Sequence, residues 1–140
     1  MVKKLKTLLS VLLLAGIIAV GNFSYVGAKS NTEDKPFSFY GRGSGCTNGR
    51  FKYNDSRTYV YPQSGPDATY TVYGSQWYGD GYQKCSESVR LYSGKKYTIS
   101  NVVNRCYYIY ASLDLKGSGA CAWTKGVWSP DSSRNYNNVG

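Results

Sequence analysis

Hydrophobic residues fall along this chain in two unlike patterns. Between Thr7 and Val20 they form one nearly continuous run (TLLSVLLLAGIIAV), whereas from Phe37 onward they recur in short stretches broken by Gly, Asn, Asp, Ser and Pro. Within those stretches they alternate with polar residues. Alternation is what a half-buried β-strand requires, because successive side chains point to opposite faces of the sheet. Ala68 to Gly74 places Ala68, Tyr70 and Val72 on one face, and Ser86 to Tyr92 turns Val89 and Leu91 inward with Arg90 outward. Ser93-Gly94 suits a tight hairpin turn into Lys95 to Asn101, where Tyr97 and Ile99 face the core. The longest predicted strand is Asn104 to Leu115, with Tyr107, Ile109, Ala111 and Leu113 inward and Cys106, Tyr108, Tyr110 and Ser112 outward. Further strands are expected at Phe37 to Gly41, Arg50 to Tyr53, Arg57 to Tyr61 and Ala120 to Trp128, with turns at Gly43 to Gly49, Pro62 to Asp67, Gln76 to Gly81 and Gly117 to Gly119. No stretch after Phe37 carries helical spacing. The pattern predicts an all-β domain, a small antiparallel β-sandwich or barrel of about seven to eight strands.

The continuous run has a different meaning. It follows a short basic segment (Lys3, Lys4, Lys6) and precedes small residues ending at Val26-Gly27-Ala28. This is the layout of a secretory signal peptide, and the run is shorter than the roughly 20 apolar residues of a membrane-spanning helix. Residues 1–28 are therefore expected to be a signal peptide, 29–36 a flexible N-terminal arm, and 37–140 a single β domain. No cysteine ends the leader, which excludes a lipoprotein reading. The expected location is extracellular, free or associated with the cell surface, without a transmembrane segment in the mature chain.

Export changes what the charge and the cysteines imply. The chain carries a net charge of +9; the leader holds three of its lysines and no acid, so the mature part keeps +6. Anionic partners are favoured by that balance, although no basic patch is visible and solubility alone accounts for it equally well. All four cysteines, Cys46, Cys85, Cys106 and Cys121, lie after the leader. An even number in an exported chain predicts two disulfides, so the domain is expected to be disulfide-stapled. If the Gly117 turn joins an ordinary hairpin, Cys106 and Cys121 stand too far apart to be bridged, which leaves Cys46 paired with Cys106 or with Cys121. Metal is not expected: the chain has no histidine and no closely spaced cysteine pair.

The absence of histidine also removes the commonest general base and the usual Ser-His and Cys-His nucleophiles. The aspartates fall mostly in loops (Asp55, Asp67, Asp80, Asp131), where solvated structural roles are expected, and no carboxylate pair can be assigned to one cleft. No enzymatic activity and no cofactor are predicted. The compositional oddity is tyrosine, 15 in the chain, joined by Trp77, Trp123 and Trp128. Tyr97, Tyr107 and Trp123 fit inward faces; exposed rings suit stacking on sugars or anchoring at a protein interface, the alternative being that tyrosine is simply a strand residue that tolerates partial exposure. Three aromatics crowd the loop Gln76-Trp77-Tyr78-Gly79-Asp80-Gly81-Tyr82. Trp77, Tyr78 and Tyr82, with the basic neighbour Lys84, are the candidate binding residues, the alternative being that the rings fold back over the end of the sandwich.

The leader followed by Phe37-Ser38-Phe39, an Arg/Tyr/Asn-rich first half, the Gly117-Ser118-Gly119 turn and Gly126-Val127-Trp128 near the end together resemble the DUF2712 family, small exported proteins of Gram-positive bacteria. The resemblance implies export and a β-rich domain and carries over no catalytic or binding residue. The four cysteines depart from the family pattern, which does not require them.

The function expected from these features is a secreted, non-enzymatic binding protein acting at the cell envelope or extracellularly, with a glycan, an anionic wall polymer or a protein as partner. Nucleic acid is not an expected partner of an exported chain. The alternative is a bacteriocin-like antimicrobial or toxin, for which size, export and charge fit but no amphipathic helix is present. A third reading is a matrix subunit assembling through Tyr-rich strands.

Overall fold

A computed structural model describes residues 30–140; the expected signal peptide lies outside the described residues. Eleven strands and no helix make up the described chain: β1 (Lys35–Tyr40), β2 (Ser44–Cys46), β3 (Arg50–Phe51), β4 (Thr58–Ser64), β5 (Ala68–Ser75), β6 (Gln83–Lys84), β7 (Val89–Leu91), β8 (Tyr97–Ile99), β9 (Tyr110–Gly117), β10 (Trp123–Ser129) and β11 (Asn137–Val139). They form two sheets that do not close into a barrel. The first runs β1-β10-β4-β8-β11; in the second, β9 pairs with β2 and β3 on one side and with β5 on the other, and β5 pairs with β6 and β7. All pairings are antiparallel except β11 with β8.

The core lies between the sheets and follows from the alternation. β5 contributes Ala68, Tyr70 and Val72, and β9 contributes Ala111, Leu113 and Leu115, with Tyr70 directly opposite Leu115 and Val72 opposite Leu113. The facing sheet supplies Phe37, Phe39, Val60, Tyr97, Ile99 and Trp128. Burying a large apolar side chain is worth about 1.5–3 kcal/mol, so this set is the main source of stability.

Several sequence expectations change. The chain is predicted to form a hairpin at Ser93-Gly94, yet β7 pairs with β5 and β8 with β4, so the turn carries the chain from one sheet to the other. Turn residues signal a reversal and not which sheet receives it; here the Gly94 N–H is taken by the Pro62 carbonyl (2.8 Å). The Gly117 turn likewise joins β9 to β10 of the opposite sheet, which removes the hairpin premise used above to limit the disulfides. Pro62 lies inside β4, where only a loop is expected. β8 accompanies β4 only as far as Val60, so the missing Pro62 N–H costs no ladder bond on that side, and the β10 ladder shifts register where Gly126 faces Pro62.

The predicted strand from Asn104 begins only at Tyr110. Residues 102–107 form a turn, and Tyr107 and Ile109, expected inward, are 84% and 48% exposed. Trp123, also expected inward, is 55% exposed, while Trp128 fills the core. Asn31, within the expected flexible arm, is tied down: its backbone N–H and side chain donate to Asp131 and to the Phe51 carbonyl, both at 2.8 Å. No disulfide is present. The four thiols are free, Cys85 buried and Cys46, Cys106 and Cys121 exposed. One reason is placement: Cys46 sits opposite Asp114 in β9, while Cys121 lies in the loop beyond Gly117. Three residues of strand, roughly 10 Å, already separate Asp114 from Gly117, more than a disulfide spans.

Asp131 is not a solvated loop aspartate. Its side chain and that of Lys52 have no solvent exposure and pair at 2.9 Å. The Lys52 ammonium also donates to the carbonyls of Ser56 (2.6 Å) and Pro130 (2.9 Å), and the carboxylate accepts the N–H groups of Asn31 and Tyr53. Burial pulls the Lys52 pKa down and the Asp131 contact opposes it. Lys52→Met is expected to lose about 3–5 kcal/mol in urea unfolding, because it strands a buried carboxylate. Combining it with Asp131→Asn should cost less than the two single changes summed. Tyr70, with no hydrogen-bond partner for its buried hydroxyl among the described residues, offers the opposite case. Tyr70→Phe is expected to leave stability unchanged or raise it by about 1 kcal/mol.

Candidate functional site

The outer face of the second sheet carries the aromatic residues. Directly opposed residues of an antiparallel pair share a face, so the ladder builds two rows there. One is Lys84, Tyr73 and Ser112 across β6, β5 and β9; the other is Ser75, Tyr110 and Phe51 across β5, β9 and β3. Between β2 and β3 the side chain of Thr47 continues the ladder: its hydroxyl oxygen accepts from the Leu113 N–H (2.9 Å), and its carbonyl accepts from Ser112 (3.0 Å).

On this scaffold four rings lie in continuous contact. Tyr53 stacks on Phe51 with 5.6 Å between centroids and 9° between planes. Phe51 meets Tyr110 at 4.8 Å, and Tyr110 meets Tyr78 edge-on at 5.7 Å. Phe51, Tyr53 and Tyr78 are all exposed. One end of the series opens into a cleft of about 460 Å³ lined by Tyr73, Tyr78, Tyr82, Asn48, Ser112 and Asp114 among others. The other end adjoins a shallower one, about 450 Å³, bordered by Asn104, Tyr107, Tyr108 and Ile109.

The β5–β6 hairpin delivers Tyr78 and Tyr82. Ser75 knots its base: the hydroxyl donates to the Asp80 carbonyl and accepts the Trp77 N–H (3.0 Å). Gly79 and Gly81 take φ values of 77° and 64°, which only glycine adopts readily, and so allow the narrow reversal. Of the sequence candidates, Tyr78 and Tyr82 line the cleft, and Lys84 stands beside it in the row with Tyr73. Trp77 stays at the hairpin tip, 70% exposed and outside the cleft lining. Trp77 and Tyr78 therefore stay exposed, while the Tyr82 hydroxyl is buried against Gly49.

Sequence reasoning missed Phe51, Tyr53, Tyr73 and Asp114. Tyr73 and Tyr110 were legible as outward positions; their convergence with Phe51 was not, because it depends on β3 pairing with β9. Burial raises the Asp114 carboxyl above the usual carboxylate range and also raises the Tyr82 phenol. The cleft wall thus offers hydroxyls, an amide, a carboxyl and the Cys46 thiol with no cation in its lining, groups that can exchange hydrogen bonds with hydroxyls. Among the described residues no group of three or more His, Cys, Asp or Glu comes together as a metal site.

Gly49 keeps the cleft in shape. A Cβ there would stand 1.8 Å from the Tyr82 hydroxyl. Gly49→Ala is expected to expel the Tyr82 ring, at a cost of about 1–3 kcal/mol from overpacking. In a Tyr82→Ala background the same change should be nearly free, which paired urea titrations would show.

No curated protein and no solved structure matches the chain. A family model described as "Protein of unknown function (DUF2712)" matches residues 22–132. With most of its length covered, the described β-sandwich included up to the buried Asp131, the chain belongs to the DUF2712 family.

Proposed function

We propose that this is a secreted, non-enzymatic binding protein that holds a glycan chain along the outer face of its second sheet. The observation that carries the reading is the unbroken series Tyr53, Phe51, Tyr110 and Tyr78 leading into a cleft edged by Asn48, Ser112 and Asp114. Aromatic rings present apolar surface to the C–H faces of sugars, and the polar rim exchanges hydrogen bonds with hydroxyls. Asp114 in the cleft favours a neutral polyhydroxylated segment there over a phosphate. The positive charge of the mature chain acts at longer range, drawing the protein toward an anionic envelope.

The second reading, a bacteriocin-like protein acting on membranes, draws on the same exposed rings. Among the described residues no helix is long and apolar enough to cross a membrane, so on that reading the rings themselves would engage the bilayer surface.

Pull-down of the purified protein on insoluble cell-wall glycan and on anionic vesicles, at low and high salt, separates the readings. Retention on glycan that survives salt is expected, with Tyr110→Ala and Tyr78→Ala each weakening it about tenfold, the effect of losing roughly 1.4 kcal/mol at a central anchor. Trp77→Ala, which changes a ring outside the cleft, should weaken it less. Vesicle binding with leakage and no glycan retention would overturn the glycan reading in favour of the membrane one.

A further inference from the structure

The glycan reading leaves the cysteines unused, and two of them converge in the fold. Cys85 follows β6 at once, its N–H on the Val72 carbonyl at 2.8 Å. The Cys85 carbonyl accepts the Val102 N–H at 2.9 Å, and the Val102 carbonyl accepts the Cys106 N–H at 2.9 Å. The two cysteines are thus separated by two hydrogen bonds and a single helical turn, although 21 positions apart in sequence. Gly74 leaves room for the contact: its missing Cβ would meet the Cys85 sulfur at 3.0 Å, Val103 at 3.2 Å and Tyr108 at 2.8 Å. Cys85, Val103 and Tyr108 therefore crowd one spot on β5, at the turn that carries Cys106. The thiols also sense each other: burial first, then the neighbouring Cys106, raises the Cys85 thiol to about 11.

We propose that Cys85 and Cys106 form a reversible disulfide that pins the 102–107 turn to the end of β6, while Cys46 and Cys121 stay outside any disulfide within the protein. The pairing differs from the other arrangements open to four cysteines, and it does not depend on what the aromatic face binds. Cys46 opposite Asp114 and Cys121 beyond Gly117 lack any such convergence.

The oxidant is an external disulfide of the glutathione class. Exposed Cys106, as its thiolate, attacks one sulfur of that disulfide; a mixed disulfide forms and one thiolate leaves. Buried Cys85 then gives up its proton, and its sulfur attacks the Cys106 sulfur, expelling the second thiolate. Two electrons pass from the protein thiols to the external disulfide, and the two protons end on the released thiols. The order follows access, since Cys85 is 4% exposed and Cys106 is exposed. The consequence is local: the tether would hold the segment that presents Tyr107, Tyr108 and Ile109 beside Phe51 and Tyr53.

Tryptic mapping tests this directly, because every cysteine falls on its own peptide: 43–50, 85–90, 106–116 and 117–125. The purified protein is equilibrated with oxidised glutathione, the remaining thiols are alkylated, and the digest is run without reductant. Peptide 85–90 joined to 106–116, two hydrogens lighter than the pair, is expected, with 43–50 and 117–125 each unlinked to another peptide, alkylated or carrying glutathione. Limited trypsin cleavage after Arg105 should slow several-fold on oxidation in the wild type and not in Cys106→Ser. Because Cys106 is exposed, that variant keeps the core intact. Recovery of 85–90 and 106–116 as separate alkylated peptides, or of either joined to 43–50 or 117–125, would overturn the proposal.

Discussion

Lys52 is the residue on which the rest of this structure hangs. Its ammonium reaches across the sandwich to Asp131, which follows β10 of the opposite sheet, and to the Ser56 and Pro130 carbonyls. Its backbone works in the other direction: the N–H donates to Ile109 at 2.9 Å and the carbonyl accepts the Asn104 side chain at 3.1 Å. One residue therefore joins β3, the loop after β10 and the turn before β9. Asp131 extends the link to the N-terminal segment through Asn31. A buried ion pair adds little net stability over an apolar substitute of the same shape. What it adds here is direction, since a charge with fixed acceptors tolerates only one arrangement of the segments around it, whereas an apolar contact tolerates several.

Arg50 repeats the logic nearer the surface. Its guanidinium lies over the Trp128 ring at 5.4 Å and donates to the Trp128 carbonyl, to Asn31 and to the Glu33 carbonyl. Arg50 and Lys52 alternate with Phe51 and Tyr53, so the same four residues send two cations inward to hold the sheets together and two rings outward to the aromatic face. The two-residue periodicity of the strand thus couples the stability of the sandwich to the display of its aromatic face.

That coupling explains what could and could not be read from sequence. Ala68, Tyr70, Val72, Ala111 and Leu113 were legible as core because long strands with strict alternation fix their own faces. Tyr107 and Ile109 differ because the alternation does not carry across the turn before β9, where no ladder enforces it; Trp123 differs because β10 is in the opposite phase, with Thr124, Gly126 and Trp128 inward and Trp123 outward opposite Tyr40. Asp131 read as a solvated loop residue because its partner is 79 positions away, a distance at which local pattern carries no information. The crowding of Tyr78 and Tyr82 in a glycine-rich turn, where they line the cleft, was legible in the sequence, while the place of Phe51 and Tyr53 required knowledge that the short β3 pairs with β9.

Tyr107 shows how the pieces fit energetically. It holds φ at 60°, a left-handed conformation that a bulky side chain adopts rarely and at a cost of about 1–3 kcal/mol. The geometry is that of a helical turn ending in a left-handed residue: Cys106 bonds back to Val102, and the Tyr108 N–H to the Val103 carbonyl at 3.1 Å. Glycine would meet that requirement without strain. The chain instead keeps a tyrosine there, 84% exposed. The backbone strain must be held from outside, and the holders are identifiable: Asn104 on the Lys52 carbonyl, Ile109 on the Lys52 N–H, and Val103 fully buried in the core. The same contacts tie the buried Lys52–Asp131 pair to the aromatic face, since Lys52 holds Asn104 and Ile109 on either side of Tyr107.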